Sequence, residues 1–207
     1  MYIVTGPAGV FVIDPSVSPQ RTEAFCELHP DLKGISEGKA QVRALLLTHG
    51  HHDHIKYISE WQKLYPDAKT YFSSNDQFLL DDGMRNCSFM EGSQILYDFP
   101  FEDVAGKDGQ LIFEEGDTLI KLYETPGHSM GSVCYLISLA GKEKLFTGDT
   151  VFYGSIGRTD MPGGSYMHML KSLNRIKDFD PGLCIYPGHG PDSVIKDEIM
   201  NNPYFDL

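Results

Sequence analysis

The sequence predicts an α/β protein built as a four-layer αββα sandwich, with two β-rich layers in the middle and helices on both outer faces. Two observations predict this fold. Strand-like and helix-like segments alternate along the chain, and its two halves are coarsely alike in that alternation. The 207 residues, 41% of them hydrophobic, are enough for one well-buried core. Since the sequence shows no linker or low-complexity tract, we predict a single domain over residues 1–207.

The first half of the chain contains six predicted segments. The run from Val42 to Leu47 is almost continuously apolar, which is typical of a strand buried on both faces. Between Ile55 and Leu64 the apolar residues recur at three-residue intervals, which indicates an amphipathic helix. In chain order the predictions are a hairpin (2–14), a short helix (22–29), a strand (42–47), a helix (55–64), a strand (68–73), and a helix with an irregular excursion (74–109).

The second half repeats short strands separated by glycine-containing turns. A Gly-rich loop over residues 154–164 follows one of these strands and leads into a predicted helix, so that a strand, a loop and a helix again follow one another. The last strand ends at a Pro-Gly-His-Gly sequence. The predicted strands are 111–113, 119–124, 132–139, 144–147 and 184–186, and the predicted helices are 167–177 and 193–200.

The composition of the chain limits which partners and which cellular location we expect. The formal net charge is -12, which repels a phosphate backbone, so we expect no nucleic-acid partner. No apolar run approaches the roughly 18 residues of a membrane span, and the N-terminus lacks a signal-peptide pattern, so we expect a cytoplasmic protein without membrane contact. The cysteines form no C-x-x-C pair, and we expect reduced, mostly buried thiols at Cys26, Cys87, Cys134 and Cys184.

The segment from Thr48 to His54 places four imidazoles and one carboxylate within seven residues, directly after the predicted buried strand. An artificial His-rich tag would stand at a terminus and would not contain an aspartate. Neutral imidazoles and carboxylates suit zinc, iron or manganese. On an extended loop, alternate positions would bring His49 and His51 to one ion. Asp53 and His54 would face a second ion, and His52 would point the other way in a structural or solvated role.

Three more candidate ligands follow predicted strands and stand next to glycine. Taken alone, His128 and His189 would be ordinary turn histidines, and Asp149 would be a turn or capping residue. Their recurrence beside the His-rich segment favours metal binding for all three. A glycine next to each of them lets the backbone approach a crowded centre. We therefore predict His128 and His189 as ligands and Asp149 as a candidate bridging ligand.

In these motifs the chain resembles the metallo-β-lactamase superfamily, whose five ordered motifs extend over nearly the whole sequence. The resemblance implies the metallo-β-lactamase form of the αββα sandwich, with two divalent metal ions. It places His49, His51 and His128 on the first ion, Asp53, His54 and His189 on the second, and Asp149 between them. Asp14 would brace the ligand loop through hydrogen bonds without binding metal.

Within the superfamily the chain is most similar to the glyoxalase II-like branch, the hydroxyacylglutathione hydrolases and their short relatives. The segments that carry this likeness are 48–51, 125–129, 148–152, 157–160 and 202–205. Long members have an additional C-terminal helical region that holds glutathione, whereas this chain ends at Leu207, so a short form is expected. The likeness implies cleavage of a small-molecule thioester, such as S-lactoylglutathione, through attack by a metal-bridging hydroxide, which Asp53 would orient and whose proton it would accept. Zinc is the expected metal, with iron or manganese as alternatives.

An alternative in the same superfamily is a persulfide dioxygenase, which holds one iron with two histidines and one aspartate. His49, His128 and Asp149 could supply these ligands. A β-lactamase is disfavoured because those enzymes are secreted, and a non-catalytic module because no ligand is missing. Arg158 and Tyr153 are the candidate substrate-binding residues, with a structural ion pair to Asp160 as the favoured role of Arg158.

Overall fold

The computed structural model describes residues 1–26, 29 and 32–206, and the first of its two large sheets comes from the N-terminal half of the chain. Its strand order is β1-β2-β3-β4-β5. β1 and β2 form the predicted antiparallel hairpin, and the remaining neighbours run parallel. The strands are β1 (Tyr2–Gly6), β2 (Gly9–Ile13), β3 (Val42–Leu46), β4 (Lys69–Phe72) and β5 (Glu102–Asp103).

The second large sheet comes from the C-terminal half. Its strands are β6 (Leu111–Glu115), β7 (Thr118–Glu124), β8 (Val133–Leu139), β9 (Lys142–Gly148) and, after a short ribbon of β10 (Val151–Phe152) and β11 (Ser155–Ile156), β12 (Cys184–Pro187) and β13 (Ser193–Val194). The strand order is β13-β12-β9-β8-β7-β6. Only the β9–β12 pair is parallel, so these two strands end at the same edge of the sheet.

Six α-helices and several 3-10 turns complete the described part of the chain. None of these helices has the length and apolar content that a membrane crossing requires. The helices are α1 (Pro19–Cys26), α2 (His52–Ile55), α3 (Ile58–Leu64), α4 (Gln77–Leu80), α5 (Tyr166–Ile176) and α6 (Ile195–Asn201), and 3-10 turns cover Ile35–Glu37, Ser74–Asp76, Ser88–Glu91 and Pro203–Phe205.

Three buried apolar clusters show the four-layer arrangement. The central cluster joins the two sheets, with Phe11 of the first sheet and Tyr135 of the second among its members. A second cluster packs the outer face of the first sheet against α3, through Trp61. The third packs the outer face of the second sheet against α5 and α6, through Leu173 and Ile195. The αββα sandwich predicted from the sequence is therefore confirmed.

The strand predictions hold to within a few residues, but three helix predictions need correction. The helix predicted over residues 55–64 is divided between α2, which ends at Ile55, and α3, which begins at Ile58. The helix is interrupted between them because the Tyr57 amide donates to the Pro15 carbonyl at 3.0 Å. The first helix begins at Pro19, before the predicted residue 22, and part of its predicted C-terminal end lies outside the described residues. The last helix begins at Ile195, since Ser193 pairs with Ile185 as strand β13.

The described cysteines are free thiols, as expected, but only half of them are buried. Cys26 and Cys134 lie in the interior, whereas Cys87 and Cys184 are partly exposed. The expectation of mostly buried thiols is therefore wrong for two of the four.

Replacement of Ile137 should measure how much the central core contributes to stability. Ile137 is fully buried on β8, between the sheets. We expect Ile137→Ala to lower the free energy of unfolding by about 2–5 kcal/mol, since it removes apolar contacts and leaves a cavity. The exposed Met200→Ala should change it by less than about 0.5 kcal/mol. Urea unfolding followed by circular dichroism measures both, and equal effects would contradict the assignment of the core.

Candidate metal centre

The candidate ligands lie where strands of both sheets end. β3 leads directly into the His-rich segment that begins at Thr48, while β9 and β12 end immediately before Asp149 and the Gly188–His189 pair. Since β9 and β12 are parallel neighbours, their following residues lie side by side. The second sheet also supports the His-rich segment directly, because the Val133 amide donates to the Thr48 carbonyl at 2.9 Å.

The structure brings all seven predicted ligands together in overlapping groups. In each group the donor atoms lie within 4.8 Å of one another. One group corresponds to the ligands expected for the first ion and another to those expected for the second, while the third contains Asp149. The groups are His49, His51 and His128; Asp53, His54 and His189; and His49, His54 and Asp149.

Asp149 lies between the first two groups. Its Oδ2 is 3.4 Å from His128 Nε2 and 3.6 Å from His189 Nε2, and its Oδ1 is 3.3 Å from His54 Nε2. Burial acts to raise the pKa of the Asp149 carboxyl, but the neighbouring His54, followed by His128 and His189, holds that pKa below its usual range. An ionised carboxylate between two groups of histidines is suitably placed to contact cations on both sides.

Unpartnered donor atoms show that these residues fit a metal. His49 Nε2, His51 Nε2 and Asp149 Oδ1 are buried without a hydrogen-bond partner among the described residues. Burial, followed by the neighbouring His128, lowers the pKa of His51 to about 3, and burial holds the pKa of His49 well below its usual value. Both imidazoles are therefore neutral near pH 7 and have lone pairs available. Neutral imidazoles and carboxylates are the donors that zinc and iron prefer.

Hydrogen bonds on the outer side determine which nitrogen of two histidines faces the cluster. His128 Nδ1 donates to the Arg158 carbonyl at 2.8 Å, and His54 Nδ1 lies 2.9 Å from Asp14 Oδ2. In each ring, Nε2 therefore points toward the other ligands. A metal-binding histidine is commonly held in this way by a carbonyl or carboxylate on its other nitrogen.

Asp14 lies where the resemblance predicts it, next to the ligand loop. Its carboxylate accepts hydrogen bonds from the amide and the hydroxyl of Thr48, both at 2.7 Å, in addition to its contact with His54. Its backbone is left-handed, with φ 49°, which is unfavourable for a residue with a side chain. These hydrogen bonds hold the loop against the end of β2.

The expectation for His52 and for an extended ligand loop needs correction. Helix α2 begins at His52, so the side chains after His51 follow a helical turn and do not alternate. His52 is 2% exposed, its ring contacts the Tyr97 hydroxyl, and its amide donates to the Asn86 carbonyl at 2.8 Å. A solvated role is therefore wrong, and a structural role agrees with these contacts.

The predicted close approach of backbone at a glycine is found at Gly188. A Cβ atom there would lie 2.3 Å from Asp149 Oδ1 and 2.5 Å from His54 Cε1. Any side chain at this position would displace one of the two ligands. The glycine before His189 is therefore required by the packing of the site.

A cavity of about 540 Å³ opens beside the two groups. One side consists of ligand residues, including His51, Asp53, Asp149 and His189. The remaining lining is largely apolar, with two charged side chains, and consists mainly of Cys87, Met90, Glu91, Phe152, Ile156, Arg158 and Met161. The cavity therefore has polar ligand residues on one side and largely apolar residues on the remaining sides.

The two candidate substrate-binding residues differ in position. Arg158 lines the cavity and forms the expected ion pair, with two hydrogen bonds of 2.7 and 2.8 Å to Asp160. A substrate contact by Tyr153 stays a prediction, since its side chain is exposed and lies outside the residues that line the cavity. Its position results from the tight turn between β10 and β11, which places Phe152 toward His189, with 6.0 Å between ring centroids, and leaves Tyr153 at the tip.

Sequence reasoning missed Asp76, a fully buried carboxylate that accepts hydrogen bonds from both ligand loops. One signal for it was present. Asp76 closely follows the parallel strand β4, at the same edge of the sheet as the His-rich segment. It stands in a stretch rich in Asp and Ser, however, where one more aspartate does not attract notice.

Comparison with known proteins gives consistent matches. A model of the Metallo-beta-lactamase superfamily matches residues 1–189. The probable polyketide biosynthesis zinc-dependent hydrolase PksB of Bacillus subtilis (strain 168) is 31% identical over 201 residues, covering 95% of this chain and 76% of that protein. The crystal structure of TTHA1623 in a di-iron-bound form has a TM-score of 0.78 at 26% identity, covering 98% of this chain and 93% of that one. The crystal structure of the BLEG-1 B3 metallo-beta-lactamase has a TM-score of 0.79 at 26% identity, covering 99% of this chain and 93% of that one.

Replacement of Asp14 should show that the ligand loop is braced independently of metal. In Asp14→Asn an amide NH₂ replaces one acceptor oxygen and faces a donor, so we expect a loss of about 1–3 kcal/mol in the free energy of unfolding. The exposed Asp117→Asn is the control and should have little effect. Urea unfolding of chelator-treated protein measures both. A wild-type value for Asp14→Asn would show that these hydrogen bonds do not stabilise the fold.

Proposed function

The chain belongs to the metallo-beta-lactamase superfamily, and from that premise we propose that it is a metal-dependent hydrolase that cleaves a small acyl thioester, as a glyoxalase II-like enzyme. The observation that carries this proposal is the convergence of seven imidazole and carboxylate ligands beside a cavity, which five of them line. That arrangement places the donors for metal ions next to a space of suitable size for a small substrate.

The proposed ligand sets follow the observed groups. His49, His51 and His128 would hold the first ion, and Asp53, His54 and His189 the second, with Asp149 shared by both. When bound, such ions act as Lewis acids that polarise a carbonyl oxygen and acidify water. Zinc is the expected metal and iron or manganese the alternatives. The zinc-dependent name of PksB and the di-iron form of TTHA1623 support zinc and iron respectively.

Asp53 is the proposed proton acceptor. Its carboxylate lines the cavity, and its Oδ2 lies 3.1 Å from His189 Nε2. Burial acts to raise the pKa of Asp53, but the hydrogen bond from His189 holds it well below its usual range, so the group is ionised near pH 7. An ionised carboxylate in this position can orient an attacking water molecule and accept its proton.

The walls of the cavity support a substrate with an apolar acyl portion and a polar carrier. Met90, Phe152, Ile156 and Met161 provide apolar surface beside the ligands. Arg158 and Glu91 add charged groups to the same lining. Since Arg158 is already paired with Asp160, an anionic carrier would have to compete for this guanidinium. The motif likeness to glyoxalase II is the main support for a thioester over other acyl compounds.

Metal content and substrate preference test the proposal together. Protein purified anaerobically without added metal should contain about two ions per chain. It should hydrolyse S-lactoylglutathione or acetyl-coenzyme A, and the preference between them identifies the thiol carrier. One iron per chain with oxygen uptake on glutathione persulfide, and no thioester cleavage, would replace the hydrolase with the dioxygenase. Cleavage of a chromogenic cephalosporin alone would replace the thioester with a β-lactam.

Replacement of Asp53 tests the proposed proton acceptor. Asp53→Asn retains the shape of the side chain but not its basicity, so kcat for the preferred thioester should fall about 10²- to 10⁴-fold. The surface variant Asp67→Asn is the control and should retain wild-type kcat. Metal content is measured on each variant, so that loss of an ion is distinguished from loss of the base. A fully loaded Asp53→Asn protein with wild-type kcat would overturn the role.

A further inference from the structure

Asp76 is a buried carboxylate outside the ligand set. It ends the 3-10 turn Ser74–Asp76 that follows β4, and its side chain is fully buried. Three donors converge on it. The Gly50 amide donates to Oδ2 at 2.9 Å, the Ser129 hydroxyl donates to Oδ2 at 2.6 Å, and the Gly131 amide donates to Oδ1 at 2.6 Å.

These donors belong to the two loops that carry the first group of ligands. Gly50 stands between His49 and His51, and Ser129 directly follows His128. The separation between the two loops decides how closely their imidazoles approach, and His51 Nδ1 lies 2.9 Å from His128 Nε2. Asp76 thus links the two backbone segments whose spacing defines the first group.

The packing around Gly131 shows how closely Asp76 fits between the loops. A Cβ atom on Gly131 would lie 2.6 Å from Asp76 Cγ and 2.8 Å from its Oδ1. Only a residue without a side chain allows this approach. Two effects therefore fix the spacing of the loops. Hydrogen bonds to the Asp76 carboxylate hold the loops together, and steric contact with Asp76 limits how closely they approach.

Burial of the Asp76 carboxylate is unfavourable in free energy, and its hydrogen bonds offset part of this penalty. Burial raises the pKa of Asp76, while the hydrogen bonds from Ser129, Gly50 and Gly131 act in the opposite direction. A buried carboxylate retains its charge only where several donors satisfy its oxygens. All three donors here are supplied by the ligand loops, so the stability of this residue and the position of those loops depend on each other.

We propose that Asp76 is a positioning residue of the metal centre, which holds the His49–His51 loop and the His128 loop at the spacing that binds the first ion. The inference rests on the proposed function, since it assumes a metal at His49, His51 and His128. It predicts a selective effect. Loss of Asp76 weakens the first group, whereas Asp53 and His189 belong to the second group and have no hydrogen bond to Asp76 among the described contacts.

The test is a zinc titration of the chelator-stripped, full-length protein, followed by the ¹⁵N imidazole resonances of the ligand histidines. In Asp76→Asn, one oxygen that accepts a hydrogen bond becomes an NH₂ group. We expect the zinc affinity reported by His51 and His128 to fall about 10- to 100-fold. The affinity reported by His189 should change less than about twofold. Wild-type affinity at both groups, or equal loss at both, would overturn the proposal.

Two further variants separate positioning from general damage to the fold. Ile137→Ala destabilises the core away from the site and should leave both zinc affinities unchanged. Ser129→Ala removes one of the three donors and should weaken the first group by less than Asp76→Asn does, which keeps the test valid if the latter fails to fold. An unchanged first group in Ser129→Ala would count against the proposal. If wild-type protein binds neither zinc, iron nor manganese at either group, the proposed function itself fails.

Discussion

His49 packs against three other buried imidazoles, and the rest of the site depends on this contact. Its ring centroid is 4.1 Å from that of His54 and 4.8 Å from those of His51 and His128. Cations so close together in a buried region would repel one another strongly. His49 and His51 are therefore neutral near pH 7, while the carboxylates of Asp149 and Asp14 raise the pKa of His54 against the effect of burial.

Imidazoles packed this closely require hydrogen-bond partners outside the cluster. Carboxylates that follow the ends of strands provide them. Asp14 follows β2 and binds Thr48 and His54, while Asp76 follows β4 and binds the loops of the first group. β2 and β4 are the two parallel neighbours of β3, which carries the His-rich segment. Both flanking strands thus brace the loop that their central neighbour supplies. The parallel arrangement of the first sheet is what makes two braces available at one edge.

The parts of this structure that follow from local sequence were predictable, and those that depend on long-range contacts were not. The apolar run of β3 and the spacing of His49 and His51 are readable because the pattern itself contains the information. The interruption between α2 and α3 depends on Pro15, some 40 residues away, and no local pattern contains that contact. For the same reason Asp76 could not be distinguished from its acidic neighbours. Its importance is set by Gly50 and Gly131, which come close only in the folded chain.

The cavity has two sides of different origin, and this explains why the chemistry of the site is easier to infer than its substrate. The ligand side is fixed by sheet edges, whose register leaves little freedom. The opposite side comes from two connections, one that carries Cys87, Met90 and Glu91 and one that carries Arg158 and Met161. Connections can change in length and composition without disturbing the core. A change in these walls would therefore alter which acyl group or carrier fits, while the ligands and their braces stay in place.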